Sequence, residues 1–112
     1  MTDKVEIALE ASIEKMKTKV VNLKNERYDI YIGRPSRWGN PYIMGKDGTR
    51  EEVIEKYREW IVKQPYFYEE LHTLKGKRLG CFCKPLPCHG EVLIELVEKE
   101  QAENAYHALT GE

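Results

Sequence analysis

The stretch of this chain richest in reactive side chains is Gly80-Cys81-Phe82-Cys83-Lys84-Pro85-Leu86-Pro87-Cys88-His89-Gly90-Glu91, which holds all three cysteines. Thiolate and imidazole are soft ligands suited to zinc. Cys81 and Cys83, two apart on an extended segment, point the same way, and a turn that returns Cys88 or His89 to them assembles three or four ligands. The neighbours Cys88 and His89 diverge by about a third of a helical turn, so both serve one ion only at an irregular helix start. A nucleophilic reading uses the same residues differently. At a helix N-terminus the dipole lowers a thiol pKa, which makes Cys88 a candidate nucleophile, with His89 or Glu91 to move protons. In the plainest reading the thiols are small apolar core residues, His89 faces solvent and Glu91 is a favourable first-turn acid.

A second candidate segment reads Gly33-Arg34-Pro35-Ser36-Arg37-Trp38-Gly39-Asn40-Pro41-Tyr42. Arg34 and Arg37 supply planar, permanently charged donors for phosphate or carboxylate, and Trp38 and Tyr42 offer faces for stacking a base. Gly33 and Gly39 let backbone approach a ligand closely, with Ser36 and Asn40 as polar readers. The competing structural reading has Trp38 plugging the core while the arginines pair with surface acids. Further on, Lys46-Asp47-Gly48-Thr49-Arg50 opens a helix, so backbone donors, the dipole and Arg50 are available to an anion, and Asp47 is a candidate acid or base. There too a bland reading stands beside it, Asp47-Gly48 as a turn and Thr49 as a cap. No Walker or dinucleotide glycine pattern is present. His72 and His107 lie outside any constellation.

These segments need elements to hold them. Val5, Leu9, Ile13 and Met16 recur at helical spacing and predict a first helix. Val20 to Leu23 and Tyr28 to Ile32 predict two strands, the second with Tyr28, Ile30 and Ile32 on one face. Gly33 to Gly48 is broken by glycine and proline and predicts a loop longer than the roughly 12 residues that compact domains usually tolerate without a functional reason. Thr49 and Glu52 form a capping box, after which Val53, Tyr57, Trp60 and Ile61 make the buried stripe of a helix that should stop near Gln64, before Pro65. Pro65 to Leu74 predicts a short helix or aromatic turn. Lys77 to Cys83 predicts a strand with Leu79, Cys81 and Cys83 on one face, and from Cys88 a last helix turns Val92, Leu93, Leu96 and Val97 inward.

Strand, loop, helix, strand, helix is the order of a right-handed crossover, so the strands at Tyr28 and Lys77 should lie parallel. The expected fold class is α/β, a small Rossmann-like open sheet with at least one parallel strand pair and helices packed on it. In such sheets the loops leaving the carboxyl ends gather at one edge, which would bring the arginine loop and the cysteine loop face to face. The 112 residues suit one domain, with residues 1–25 as an accessory helix and strand and 98–112 as a polar tail. Eighteen basic and nineteen acidic residues give a net charge of -1, which disfavours a dedicated duplex-binding protein. No run approaches the roughly 18 apolar residues of a membrane span. The clustered, odd-numbered cysteines suit a reducing compartment, so a cytoplasmic protein without membrane association is expected.

From Asp29 to Val97 the chain resembles a bacterial and phage family, domain of unknown function 4326. The resemblance rests on Gly33-Arg34, Ser36, Trp38-Gly39-Asn40-Pro41, Asp47-Gly48-Thr49-Arg50, and Cys81-Phe82-Cys83-Lys84-Pro85 followed by Cys88-His89-Gly90. It implies a coherent module over residues 28–97 and no particular substrate. The last motif is also similar to the Cys, then Cys-His-Arg ending of domain of unknown function 488, with Gly90 where that family has arginine. The leading functional expectation is a domain that binds a nucleotide, nucleoside or nucleotide-derived ligand at the sheet edge. It would sequester that ligand, or hydrolyse a glycosidic or phosphate bond through Cys88, His89, Glu91 or Asp47. The alternative is a zinc-stapled module binding single-stranded nucleic acid or a protein through Trp38, Tyr42 and Tyr66-Phe67-Tyr68; a homodimer through the aromatic stripe is a third.

Overall fold

A computed structural model describes the backbone of residues 17–110 and the side chains of residues 17–103. The first helix expected from Val5 to Met16 lies outside the described residues. In chain order the elements are β1 (Lys19–Asn22), β2 (Ile30–Tyr31), α1 (Arg50–Ile61), α2 (Phe67–Glu70) running into a 3-10 turn (Leu71–Leu74), β3 (Arg78–Cys81) and α3 (His89–Thr110). None of the described helices is long and apolar enough to cross a membrane.

The three strands form one parallel sheet in the order β1-β3-β2. Val20 pairs with Leu79 on one side of β3 and Ile30 pairs with the same Leu79 on the other. β3 is central and its Leu79, Gly80 and Cys81 are buried. β2 is shorter than the span from Tyr28 to Ile32, yet its hydrogen bonding continues on both sides, from Asp29 N–H to the Arg78 carbonyl and from Ile32 N–H to the Gly80 carbonyl. The chain passes from β1 to β2 in a short link over the face of β3, where Gly80 makes room for it: a Cβ there would fall 2.7 Å from Tyr28 Cγ. It can do so because both strands are brief and little length must be retraced.

α1 begins as its sequence requires. Thr49 Oγ1 accepts from Glu52 N–H at 3.2 Å and Glu52 Oε1 accepts from Thr49 N–H at 2.9 Å. The helix buries Val53, Tyr57 and Ile61, with Trp60 half-buried. It ends before Gln64 because that side chain turns back and donates to the Trp60 carbonyl, satisfying a helix-end acceptor. α3 continues into the segment read as a polar tail, for which the sequence leaves helix or fraying open: Glu98 to Ala102 is made of strong helix formers and carries the helix on to Thr110. Its first turn sits close on the sheet. A Cβ at Gly90 would fall 2.7 Å from both Ile32 Cδ1 and Val20 Cγ2. The arginine that another family carries at this place would therefore displace core side chains.

The core gathers Ile32, Tyr57, Ile61, Leu74, Leu79 and Leu93 between the helices and the sheet. Trp38 belongs to it. The indole is 5% exposed, meets the Tyr66 ring edge-on at 5.6 Å, and its backbone carbonyl accepts from Tyr57 Oη at 2.7 Å. Trp38 is thus an anchor that ties the long loop to α1, and the expectation that it stacks a base is corrected. Trp38→Ala should destabilise the fold by about 3–5 kcal/mol, the usual range for deleting a buried aromatic. Chemical denaturation checks this, and a change below about 1 kcal/mol would return Trp38 to the surface.

Candidate functional site

The two loops do meet. A cavity of about 340 Å³ opens at the carboxyl ends of β2 and β3. Gly33, Arg34, Asn40 and Tyr42 of the long loop form one wall and Arg50 and Val53 of α1 another. The end of β3 contributes Cys81, Phe82 and Cys83, and Pro87, Cys88 and His89 close the remaining side. Among the described residues no aspartate or glutamate lines it.

The arginines divide according to their partners. Arg37, Arg58 and Arg78 are each ion-paired, with Glu70, Glu95 and Glu26 respectively. Arg34 has no hydrogen-bond or ion-pair partner for its guanidinium among the described residues, and Arg50 donates only to the Pro87 carbonyl, at 3.0 Å. The two arginines that line the cavity therefore lack a carboxylate to balance them. Arg37, expected to share the ligand, instead leans on Tyr66, 5.0 Å from the ring centroid, and is not part of the lining.

Loop geometry accounts for the other sequence candidates. Asn40 Nδ2 donates to the Val53 carbonyl at 3.1 Å and its Oδ1 accepts from Tyr42 N–H at 2.9 Å, so this lining residue fixes the loop to α1. Gly39 lets the loop fold on itself, since a Cβ there would come 2.9 Å from the Gly33 carbonyl oxygen. Asp47 Oδ2 accepts from Ile43 N–H at 2.7 Å, Thr49 caps α1, and Glu91 pairs with Lys84 at 3.4 Å; none of the three lines the cavity. Ser36 also lies outside the lining, with a buried Oγ that has no partner. Phe82, 56% exposed and edge-on to Tyr31 at 6.3 Å, is the aromatic surface that sequence reasoning passed over. Its signal was present: an aromatic residue on the strand face opposite Leu79 and Cys81.

The thiols act as a pair. Cys81 and Cys88 sulfurs stand 3.4 Å apart, and Gly90 N–H donates to Cys88 Sγ at 3.3 Å. The hydrogen bond from Cys88 pulls Cys81 well below the ordinary thiol range; burial opposes this, and the backbone N–H groups of Lys84 and Cys83 add to it. Cys88 moves the opposite way, because its proton is shared with Cys81 and it is buried. Either sulfur can donate in this pair, and the two opposite shifts favour the thiolate on Cys81 over the expected Cys88. β3 ends at Cys81, so Cys83 leaves the strand for a turn in which its carbonyl accepts from Leu86 N–H, and both residues line the cavity. Among the described residues no three His, Cys, Asp or Glu side chains form a group that could hold a metal ion.

His89 is buried, and not the solvent-facing residue of the plain reading. Its Nε2 lies 2.6 Å from the Ile32 carbonyl oxygen, which can only accept, so the proton is on Nε2. Burial lowers its pKa, the Ile32 carbonyl opposes this, and the charge of Arg34 lowers it further. The native state thus resists a proton that the unfolded chain takes up as pH falls below its ordinary value of 6.5. Stability should drop as pH falls through the range just below about 6.5, by at most about 1.4 kcal/mol per pH unit. Thermal midpoints across that interval check this, and His89→Gln, which keeps a donor for Ile32, should flatten the profile; equal slopes in the two proteins would contradict it.

With this geometry in hand, comparison with known proteins gives the following. A family model described as Domain of unknown function (DUF4326) matches residues 13–99. A protein of Enterobacteria phage T4, named "Uncharacterized 12.4 kDa protein in nrdA-td intergenic region", is 38% identical over 86 residues, covering 72% of this chain and 78% of the phage protein. "Uncharacterized protein R718" of Acanthamoeba polyphaga mimivirus is 37% identical over 86 residues, covering 61% of this chain and 65% of the viral one. No solved structure matches. The family model takes in β1 to the first half of α3, including every residue that lines the cavity, and the chain belongs to the DUF4326 family.

Proposed function

We propose that the cavity binds a nucleotide-like anion, its phosphate between Arg34 and Arg50 and its base against Tyr31, Tyr42 and Phe82. The observation that carries this reading is that two arginines line a cavity in which, among the described residues, neither has a carboxylate partner and no acid is present. Two guanidinium groups on one cavity without acids beside them make it electropositive, and an anion offsets that charge with charge-assisted hydrogen bonds. The volume of about 340 Å³ falls at the lower end of small-molecule pockets, enough for a single nucleotide. Aromatic and apolar surface at the mouth suits a base. The three free thiols agree with a reducing compartment such as cytoplasm.

Titration calorimetry with ADP, adenosine and pyrophosphate tests the reading. ADP should bind, adenosine far more weakly, and affinity should fall as ionic strength rises. Arg34→Ala and Arg50→Ala should each weaken ADP by about 10- to 100-fold, from loss of a hydrogen bond to a charged group worth roughly 1.5–3 kcal/mol. Their thermal midpoints should stay within a few degrees of wild type, and Arg37→Ala should leave affinity unchanged. No heat with any phosphate-bearing ligand, or full affinity in the Arg34/Arg50 double variant, would contradict the proposal.

A further inference from the structure

We propose that His89 reads a proton on the ligand. Its Nδ1 accepts from the P–OH of a phosphate monoester held by Arg34 and Arg50, so the cavity takes a terminal phosphate and rejects sulfate esters and phosphodiesters, which lack that proton. This rests on the binding reading above and adds a specificity to it. His89 is tied to both arginines through the backbone. Its Nε2 donates to the carbonyl of Ile32, two residues before Arg34, and Arg50 donates to the carbonyl of Pro87, two residues before His89. All three residues line the same cavity. The Ile32 carbonyl also decides which ring nitrogen is free: it can only accept, so the proton is on Nε2 and Nδ1 keeps its lone pair. Nδ1 has no hydrogen-bond partner among the described residues, where Ser36 Oγ is the one unpartnered side-chain nitrogen or oxygen sealed from solvent. Nδ1 is therefore open, and the 8% exposure that His89 retains lies on the cavity it lines.

The rest of the lining leaves that role to His89. The other side-chain atom there that can only accept, Asn40 Oδ1, already accepts from Tyr42 N–H, and Tyr31 Oη donates to the Arg34 carbonyl at 2.7 Å. The guanidinium groups only donate. An anion that carries one O–H beside its negative oxygens satisfies the two arginines and the imidazole together, and the monoanion of a phosphate monoester is such a group. A sulfate ester has the same charge and nearly the same shape but no hydrogen. One of its oxygens would turn a lone pair toward that of Nδ1, and a site built to accept a hydrogen bond discriminates strongly against an analogue that cannot donate it. Burial and the charge of Arg34 both oppose protonation of the ring, which keeps it an acceptor. Besides His89, the groups about the site that can change protonation near neutral pH are the thiols of Cys81, Cys83 and Cys88; the arginines stay charged and the tyrosines titrate well above it.

The test is calorimetry on the full chain with ADP, adenosine 5′-phosphate, the methyl ester of adenosine 5′-phosphate, and adenosine 5′-sulfate. The last three share one base and sugar, and only the first of them can bring a proton on its terminal group. Adenosine 5′-phosphate should bind about tenfold or more tightly than the methyl ester and the sulfate, the scale of one hydrogen bond to a charged group. At about pH 7 the free monoester, with a second pKa of about 6, is mostly dianion, so its binding should take up close to one proton, read from the heats in two buffers of different ionisation enthalpy. The sulfate should take up none. His89→Gln keeps the donor to Ile32 and loses the acceptor; it should still bind adenosine 5′-phosphate, with most of the preference and the proton uptake gone. Should this variant not fold, the ligand comparison and the proton count on the wild-type protein decide alone. Equal affinity for the three adenosine ligands, binding of the monoester without proton uptake, or a preference unchanged in His89→Gln overturns the inference and leaves the binding reading intact. Equal proton uptake with the sulfate places the proton on a thiol and overturns it as well. Absence of binding by both ADP and adenosine 5′-phosphate removes the underlying reading.

Discussion

Parallel pairing of β2 with β3 is the constraint on which the rest of the site depends. Ile30 opposite Leu79 and Tyr31 opposite Gly80 set the register, and the bonds from Asp29 to Arg78 and from Ile32 to Gly80 extend it. Because the strands run the same way, the chain leaves both at one edge. Ile32 then leads into the arginine loop and Cys81 into the cysteine loop side by side. An antiparallel pairing of the same residues would send the two loops to opposite ends of the sheet.

Packing secures what pairing begins. The long loop is held by polar bonds to α1, from Tyr57 to the Trp38 carbonyl and from Asn40 to the Val53 carbonyl. On the other side His89 joins the start of α3 to the Ile32 carbonyl at the end of β2. These contacts use buried backbone acceptors that would otherwise be left without donors. They also spend the side chains that make them, which is why residues suited to recognition by type serve here as fasteners. Charge is distributed unevenly as a result. Acids satisfy the outward-facing Arg37, Arg58 and Arg78, and the cavity keeps Arg34 and Arg50 unbalanced.

Local signals in the sequence were legible. The capping box at Thr49 and Glu52 and the stripe of Val53, Tyr57 and Ile61 act over a few residues, and the structure follows them. The parallel arrangement was also readable, since two strand signals separated by a helix leave few other topologies. What was not legible depends on where a side chain turns. Trp38 goes inward and Arg37 outward because of the Tyr66 and Tyr57 surfaces brought from elsewhere in the chain. The roles of Cys81 and Cys88 depend on the strand stopping at Cys81, a boundary that an alternating pattern through Cys83 concealed. Phe82 was assigned to the face away from the core, and its place at the cavity mouth emerges only when Tyr31 is set beside it.

A crystal structure of the protein with ADP would test the central claim most directly, by showing where an anion settles on this surface. The expected result is a phosphate group hydrogen-bonded to both Arg34 and Arg50 with the base against Phe82 or Tyr42. Nucleotide density anywhere else, with Arg34 and Arg50 left facing solvent or turned onto carboxylates, would contradict it.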